Sequence, residues 1–261
     1  MAVKKTKKLS AQTTTTAVAT GEKFAKVDAN GKVTLIDLAN LKSAILGGFD
    51  LDSLIDGVFI MYHRKVDNFP LMVKPHRWTA LQNGGEVADG VVVVDGDKMW
   101  VVAPTEADST GIFWSSAAVS GGATTTGDRL TAIDDLNGKA NTASIISKST
   151  SAAVTNTSAY APGFCNLYSR ANANGRGLLA GKWWLPSVGE MIMMMANMAK
   201  INYGLSFISE ATPLLEKPYW TSTEGGASTA WRLGLGDGTL AGWVTKADSK
   251  GCVRPISAYI N

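Results

Sequence analysis

Scarcity narrows the class of this chain before any motif is read. It has only two cysteines, Cys165 and Cys252, too few for the disulfide framework of a secreted scaffold. Both lie among apolar or small residues, so buried reduced thiols are expected, with a bridge between the two left open. The only histidines, His63 and His76, lack metal-ligand spacing and read as surface or satisfied polar residues. No apolar run approaches the roughly 18 residues that cross a bilayer. Residues 9–20 are polar and Thr-rich where a signal peptide needs an apolar stretch. The chain is therefore expected to stay in the cytoplasm that makes it unless it leaves inside a particle. A net charge of +3 is too small to imply a nucleic-acid partner.

What is present is a folded composition, 45% apolar and 18% charged, with 27 glycines against 8 prolines. Many tight turns between short strands follow from that balance. The one dense basic run, Lys4, Lys5, Lys7 and Lys8, reads first as a solvated tail and second as an anchor to an acidic surface. It opens residues 1–20, which alone would be disordered or an extended arm that orders on a partner. Residues 24–36 alternate apolar and polar around Asn30-Gly31 and predict a hairpin. Asp37 then caps a short helix with Leu38, Leu41 and Ile45 on one face and a stop at Gly47. A hairpin and one helix bury too little to stand alone. Residues 21–56 are therefore read as an attachment segment that packs on its own copies, as a homodimer or homotrimer, or on a larger assembly.

From Gly57 the pattern changes to that of one larger domain, residues 57–261. Residues 58–62 predict a strand and residues 90–103 a hairpin turning at Asp95-Gly96. Residues 115–127, rich in Ser, Thr and Gly, read as a long loop; residues 131–148 are ambiguous, and 159–173 read as a helix. Residues 185–198 form the clearest element: Ser187 and Glu190 have capping-box spacing before a Met-rich helix apolar nearly all round. Core packing is preferred there to a Met-rich binding surface. Beyond Pro218 the chain reads as a three-strand meander with a tight turn at Asp237-Gly238, then a closing strand over 252–260. Strands, loop, helices and meander in that order make an α+β domain.

Four ordered motifs then carry a resemblance: Trp184-Leu185-Pro186-Ser187-Val188-Gly189-Glu190-Met191, Tyr219-Trp220-Thr221-Ser222-Thr223-Glu224, Ala230-Trp231, and Val253-Arg254-Pro255-Ile256. With Gly138-Lys139-Ala140-Asn141-Thr142 upstream, residues 57–261 resemble the C-type-lectin-like family. That family includes the major tropism determinants of bacteriophages, variable or adhesive proteins of Bacteroides-type bacteria and their phages, and the formylglycine-generating enzyme fold. The resemblance implies a C-type-lectin-like domain of two helices with antiparallel sheets. Residues 35–42 resemble the segment that opens many phage fibre and virion structural proteins, although Leu35-Ile36-Asp37 stands where others carry Ile-Thr-Trp or similar.

Together these resemblances imply a bacteriophage virion structural protein, a fibre, spike or capsid decoration, made in the host cytoplasm and located in the virion. Lys4, Lys5, Lys7, Lys8, Leu38, Leu41 and Ile45 would attach it to capsid or other virion proteins. Its lectin-like domain would face a host cell-surface glycan or protein. The alternatives are a bacterial surface adhesin of the same fold, which would need an export signal, and an enzyme of the formylglycine-generating kind. The latter needs a reactive cysteine pair near the end of the domain, and Cys252 has no close partner in sequence.

The search for chemistry points the same way. No Ser–His–Asp arrangement and no phosphate-cradling glycine pattern before a helix is readable. The Glu-Pro-Asn and Trp-Asn-Asp signatures of calcium-dependent lectins are absent, and Asp95, Asp97 and Asp237 read as turn residues. The chain is therefore expected to be no enzyme and to need no metal or cofactor. Binding falls to the last meander. Trp184, Trp220 and Trp231 belong to the recurring motifs and are read as core, which leaves Arg232, Asp237 and Trp243 as candidate ligand-binding residues.

Overall fold

The computed structural model describes residues 23–27, 31, 33–37, 57–95, 98–148 and 156–258. The chain divides into two compact units, Met1–Leu54 and Ile55–Asn261. In the first, β1 (Lys23–Val27) pairs antiparallel with β2 (Val33–Asp37), Phe24 opposite Ile36 and Val27 opposite Val33. This is the hairpin that the alternation around Asn30-Gly31 predicts. The basic arm with Lys4, Lys5, Lys7 and Lys8, and the helix expected to carry Leu38, Leu41 and Ile45, lie outside the described residues.

The second unit is α+β with antiparallel sheets. It runs β3 (Gly57–His63), β4 (Pro70–Val73), α1 (Pro75–Asn83), β5 (Ala88–Asp95), β6 (Lys98–Val102) and β7 (Ile112–Phe113). Four helices come next: α2 (Arg129–Ile133), α3 (Gly138–Ser147), α4 (Ala161–Leu167) and α5 (Val188–Ala196). The chain ends with α6 (Met198–Leu205), β8 (Pro218–Glu224), β9 (Thr229–Gly234), β10 (Leu240–Thr245), β11 (Lys250–Gly251) and β12 (Ile256–Ser257).

Five strands form one antiparallel sheet in the order β12-β6-β5-β3-β4. Its centre is β5, where Val91, Val92, Val93 and Val94 are all buried. A continuous valine run is what a strand covered on both faces requires. Val91 and Val93 pack with Ile60, Trp78, Met191, Met194, Ile201 and Leu205, so α1, α5 and α6 share that core. A second sheet, β10-β9-β8, sits over another apolar cluster that includes Trp114, Ile145, Cys165, Leu185, Trp220 and Val253.

The Met-rich segment departs from the single helix expected of it. Asn197 ends α5, its side-chain Nδ2 donating to the Met193 carbonyl at 3.1 Å, and α6 starts on the next residue. The Glu190 half of the capping box is made: its carboxylate accepts the Ser187 N–H at 2.8 Å. Met191 and Met194 face the core, while Met193 and Met195 stay half-buried.

Other elements differ in extent. The helix expected over 159–173 stops at Leu167, because the chain beyond it folds back on itself, Arg170 N–H donating to the Leu178 carbonyl at 2.8 Å. Of the closing strand expected over 252–260, the described residues 252–258 pair as β12 only at Ile256–Ser257, after Pro255, which has no N–H to give a ladder. Residues 259–260 lie outside the described residues. The ambiguous stretch resolves into α2 and α3. Instead of two helices, the described part of this unit has six. Among the described residues, no helix is long and apolar enough to cross a membrane.

Candidate functional site

Strand β8 of the last sheet buries an unusually polar run. Thr221, Ser222, Thr223 and Glu224 on β8 are all fully buried, which is tolerated only where each group finds a partner. Glu224 pairs with Lys246, both side chains wholly out of solvent. The Lys246 ammonium donates to Glu224 and also to the carbonyls of Val119 at 3.0 Å and Ala227 at 2.8 Å. It lies 4.5 Å from the centre of the Trp114 ring. Burial pushes the Lys246 pKa down, and the bonded Glu224 carboxylate opposes that shift.

Glu224 in turn organises the loop expected over 115–127. Its two carboxylate oxygens accept the N–H groups of Gly121 and Ala123, each at 2.8 Å. Its backbone exchanges bonds with Thr124 and Thr126. The same loop end is tied to the sheet by Trp231, whose Nε1 donates to the Thr126 carbonyl at 2.9 Å. One residue later, a Cβ at Gly127 would lie 3.1 Å from Trp243 Cη2, so a glycine lets the indole tip rest on the loop. Asp128 then caps α2, accepting the Thr131 N–H at 2.8 Å, which fixes where Arg129 leaves the loop.

Two open hollows meet at that point. One, of about 400 Å³, is lined by Gly127, Arg129, Trp231, Leu240, Gly242 and Trp243, among others. The other, of about 490 Å³, has an aliphatic floor of Ile133, Ile192, Met195, Leu233 and Leu240, with Arg129 and Asp237 also lining it. Arg129 and Leu240 belong to both, so the hollows adjoin. At Gly242, a Cβ would come within 2.6 Å of the Trp231 ring, so this strand position is restricted to glycine by the buried indole beneath it. The β10 register shifts between Ala241 and Val244, and a bulge of this kind re-aims the side chain it carries. Here that side chain is Trp243, 72% exposed.

Of the three residues expected to bind, two come together and one does not. Trp243 and Asp237 line the adjoining hollows on either side of Arg129. Asp237 holds its own turn, its Oδ1 accepting the Thr239 N–H at 2.9 Å, and that bond keeps its carboxyl below the usual carboxylate range. Arg232 alternates on β9 with Trp231 and Leu233, which line the hollows, and so points to the other face. There its guanidinium lies 5.1 Å from the Trp220 ring centre and its Nη1 donates to the Lys250 carbonyl at 2.7 Å. Trp184, Trp220 and Trp231 are buried, as core residues should be.

Sequence reasoning missed Arg129, Ile133, Ile192 and Met195. Only the Asp128–Thr131 cap spacing could have flagged a helix start beside Arg129, and nothing in the sequence places α5 next to it. The reactive-looking groups lie elsewhere and are occupied. His63 Nδ1 is 2.7 Å from Asp89 Oδ2, and Asp89 Oδ1 accepts the Leu178 N–H, also at 2.7 Å. Cys165 and Cys252 are free and buried; burial raises the Cys165 thiol well above its ordinary value and pushes Cys252 up to about 11.

Glu190 is buried under the cap it forms, and desolvation raises its pKa to about 7 against the pull of its bonds from Ser187 and Trp184. Asp135 beside it accepts from Asn141, Thr223 and Asn137 at 2.9, 2.6 and 3.0 Å. These acids hold α2, α3, α5 and β8 together. Among the described residues, no group of three or more His, Cys, Asp or Glu assembles at metal-holding geometry. What the arrangement offers chemically is a fixed surface with one bare indole, one arginine and one carboxylate. Comparison of the chain with protein-family models, curated proteins and solved structures gives no match.

Proposed function

We propose that this chain is a bacteriophage virion structural protein, a fibre, spike or capsid decoration, whose Ile55–Asn261 unit is a C-type-lectin-like binding head. The N-terminal segment joins the head to the particle, and the head meets the host surface. The ordered tryptophan motifs support the lectin-like assignment, since Trp184, Trp220 and Trp231 serve as core residues between sheet and helices. The head acts by binding and not by catalysis.

One observation carries the binding role. The unit buries Trp78, Trp114, Trp183, Trp220 and Trp231 almost completely, yet leaves Trp243 72% exposed where two hollows meet. An exposed aromatic face that also lines a hollow can stack on a ligand, which single exposed side chains elsewhere on the surface are not placed to do. Two experiments test the reading. Deleting residues 2–46 should abolish incorporation into particles, measured by mass spectrometry of purified virions; a truncated chain that still assembles overturns the attachment role. Particles carrying Trp243→Ala should assemble normally and adsorb to host cells poorly, and unchanged adsorption would remove the binding role from this face.

A further inference from the structure

The chemistry of the adjoining hollows narrows what the head binds, an inference that rests on the binding role just proposed. Trp243 offers an indole beside Gly127 and Gly242, neighbours with no side chain to cover it. Such a platform suits the apolar face of a pyranose ring. The second hollow differs: it is lined by the apolar side chains of Ile133, Ile192, Met195, Leu233 and Leu240, with Arg129, Asp237 and Thr239 as its polar members. A plain sugar could set a C–H face on those side chains, but it has no single group that places a methyl on them and a carbonyl acceptor beside Arg129.

Arg129 stands between the hollows. It donates one bond, Nη2 to the Leu240 carbonyl at 3.3 Å, and among the described residues it has no ion-pair partner. A guanidinium has five N–H donors, so further acceptors can be taken. Asp237 stays ionised, since the Thr239 N–H lowers its pKa, and an ionised carboxylate only accepts. A free anion fits poorly because Asp237 lines the same hollow as the arginine.

We infer that the paired hollows bind an oligosaccharide containing an N-acetylated hexosamine. One sugar ring stacks on Trp243, and the acetamido group of its neighbour enters the second hollow. There the methyl meets the Ile133, Ile192 and Met195 floor, the amide carbonyl accepts from Arg129, and the amide N–H or a ring hydroxyl donates to Asp237. A single substituent thus satisfies an aliphatic floor, a donor and an acceptor, which no plain hydroxyl does.

Titration calorimetry of the full-length chain with N,N′-diacetylchitobiose and with cellobiose separates the possibilities, since the two disaccharides differ in the acetamido groups. The acetylated sugar should bind, and cellobiose should bind about ten-fold more weakly or worse. Trp243→Ala and Arg129→Ala, both surface changes, should each weaken the acetylated sugar by about ten-fold. Equal binding of the two sugars overturns the acetamido assignment, and undiminished binding by Trp243→Ala overturns the site. If neither sugar binds but Trp243→Ala particles still fail to adsorb, the binding role survives and the ligand class is wrong. Adsorption abolished by protease treatment of the host cells but not by periodate would identify a protein receptor and would likewise overturn the sugar.

Discussion

Both larger sheets rest on apolar clusters, but they differ in the polar groups buried beside them. Around β5 the five-stranded sheet is sealed by Val91, Val93, Ile60, Trp78 and Met191, groups that need only be excluded from water. Beneath β8 the three-stranded sheet buries Thr221, Ser222, Thr223, Glu224, Lys246 and Arg254, groups that must each be bonded. Arg254 is bonded through its two terminal nitrogens, which reach the carbonyls of Ala103, Thr212 and Pro213 at 3.1, 3.0 and 2.9 Å, while its buried Nε has no partner. The apolar core supplies stability that does not depend on any one partner. The polar core supplies position, because a carboxylate accepting from Gly121 and Ala123 fixes a loop that no hydrophobic contact would register.

The sharpest way to break this contrast is to remove one half of the buried ion pair. Lys246→Met leaves the Glu224 carboxylate uncompensated in a dry interior, and the expected loss is about 3–5 kcal/mol in urea unfolding. Lys246→Met combined with Glu224→Gln should be less damaging than Lys246→Met alone, since no charge is then left behind. Additive losses would show that the two residues do not act as a unit. In the apolar core, Ile60→Ala should lose about 2–4 kcal/mol, and no second substitution at a contacting residue should rescue it.

A third effect is visible only as a function of pH. The folded-state pKa of Glu190 is about 7 against an ordinary 4.5, with burial as the main cause. Between those values the folded state holds a proton that the unfolded chain has released. Stability should therefore be highest below pH 4.5 as far as this group is concerned, fall as pH rises towards 7, and level off above it. The penalty reaches on the order of 3 kcal/mol. Glu190→Gln keeps an acceptor for the Ser187 N–H and removes the titration, so the variant should gain on the parent between pH 5 and pH 8. Parallel pH profiles for the two proteins would mean that Glu190 is ionised throughout.

How much could be read from residues alone follows from the same contrast. The β5–β6 hairpin, the β8–β9–β10 meander and the capped start of α5 were legible because period-two alternation and cap spacing are local signals. The split at Asn197 was not, since Met191 to Met198 continues an apolar pattern across it and only the side-chain bond to Met193 marks the break. Nor was the polar core. Lys246 and Glu224 lie 22 positions apart, and single charged residues in strand-and-turn sequence read as surface. For the site, exposure of Trp243 and the turn at Asp237 were within reach. Arg232 stands out in the sequence because it lies outside the motifs read as core, and that carries no information on which face it takes; Trp231 and Leu233 on either side of it line the hollows. Arg129 and Met195 join the site only through tertiary packing of α2 and α5, which no spacing encodes.

The smallest expected effect is also the one that best separates a structural tryptophan from a binding one. Trp220 is fully buried, with its Nε1 donating to the Ile112 carbonyl at 2.9 Å, so Trp220→Ala should lose about 3–5 kcal/mol. Trp243 sits on the same sheet but is 72% exposed, with its ring tip against Gly127. Trp243→Ala should therefore change the unfolding free energy by no more than about 0.5 kcal/mol. A loss comparable to that of Trp220→Ala would mean the ring is clamping the 115–127 loop to the sheet, and its exposure would then be incidental to that structural role. A near-zero change shows that packing does not hold the indole between Arg129 and the two glycines, which is the condition a binding role requires.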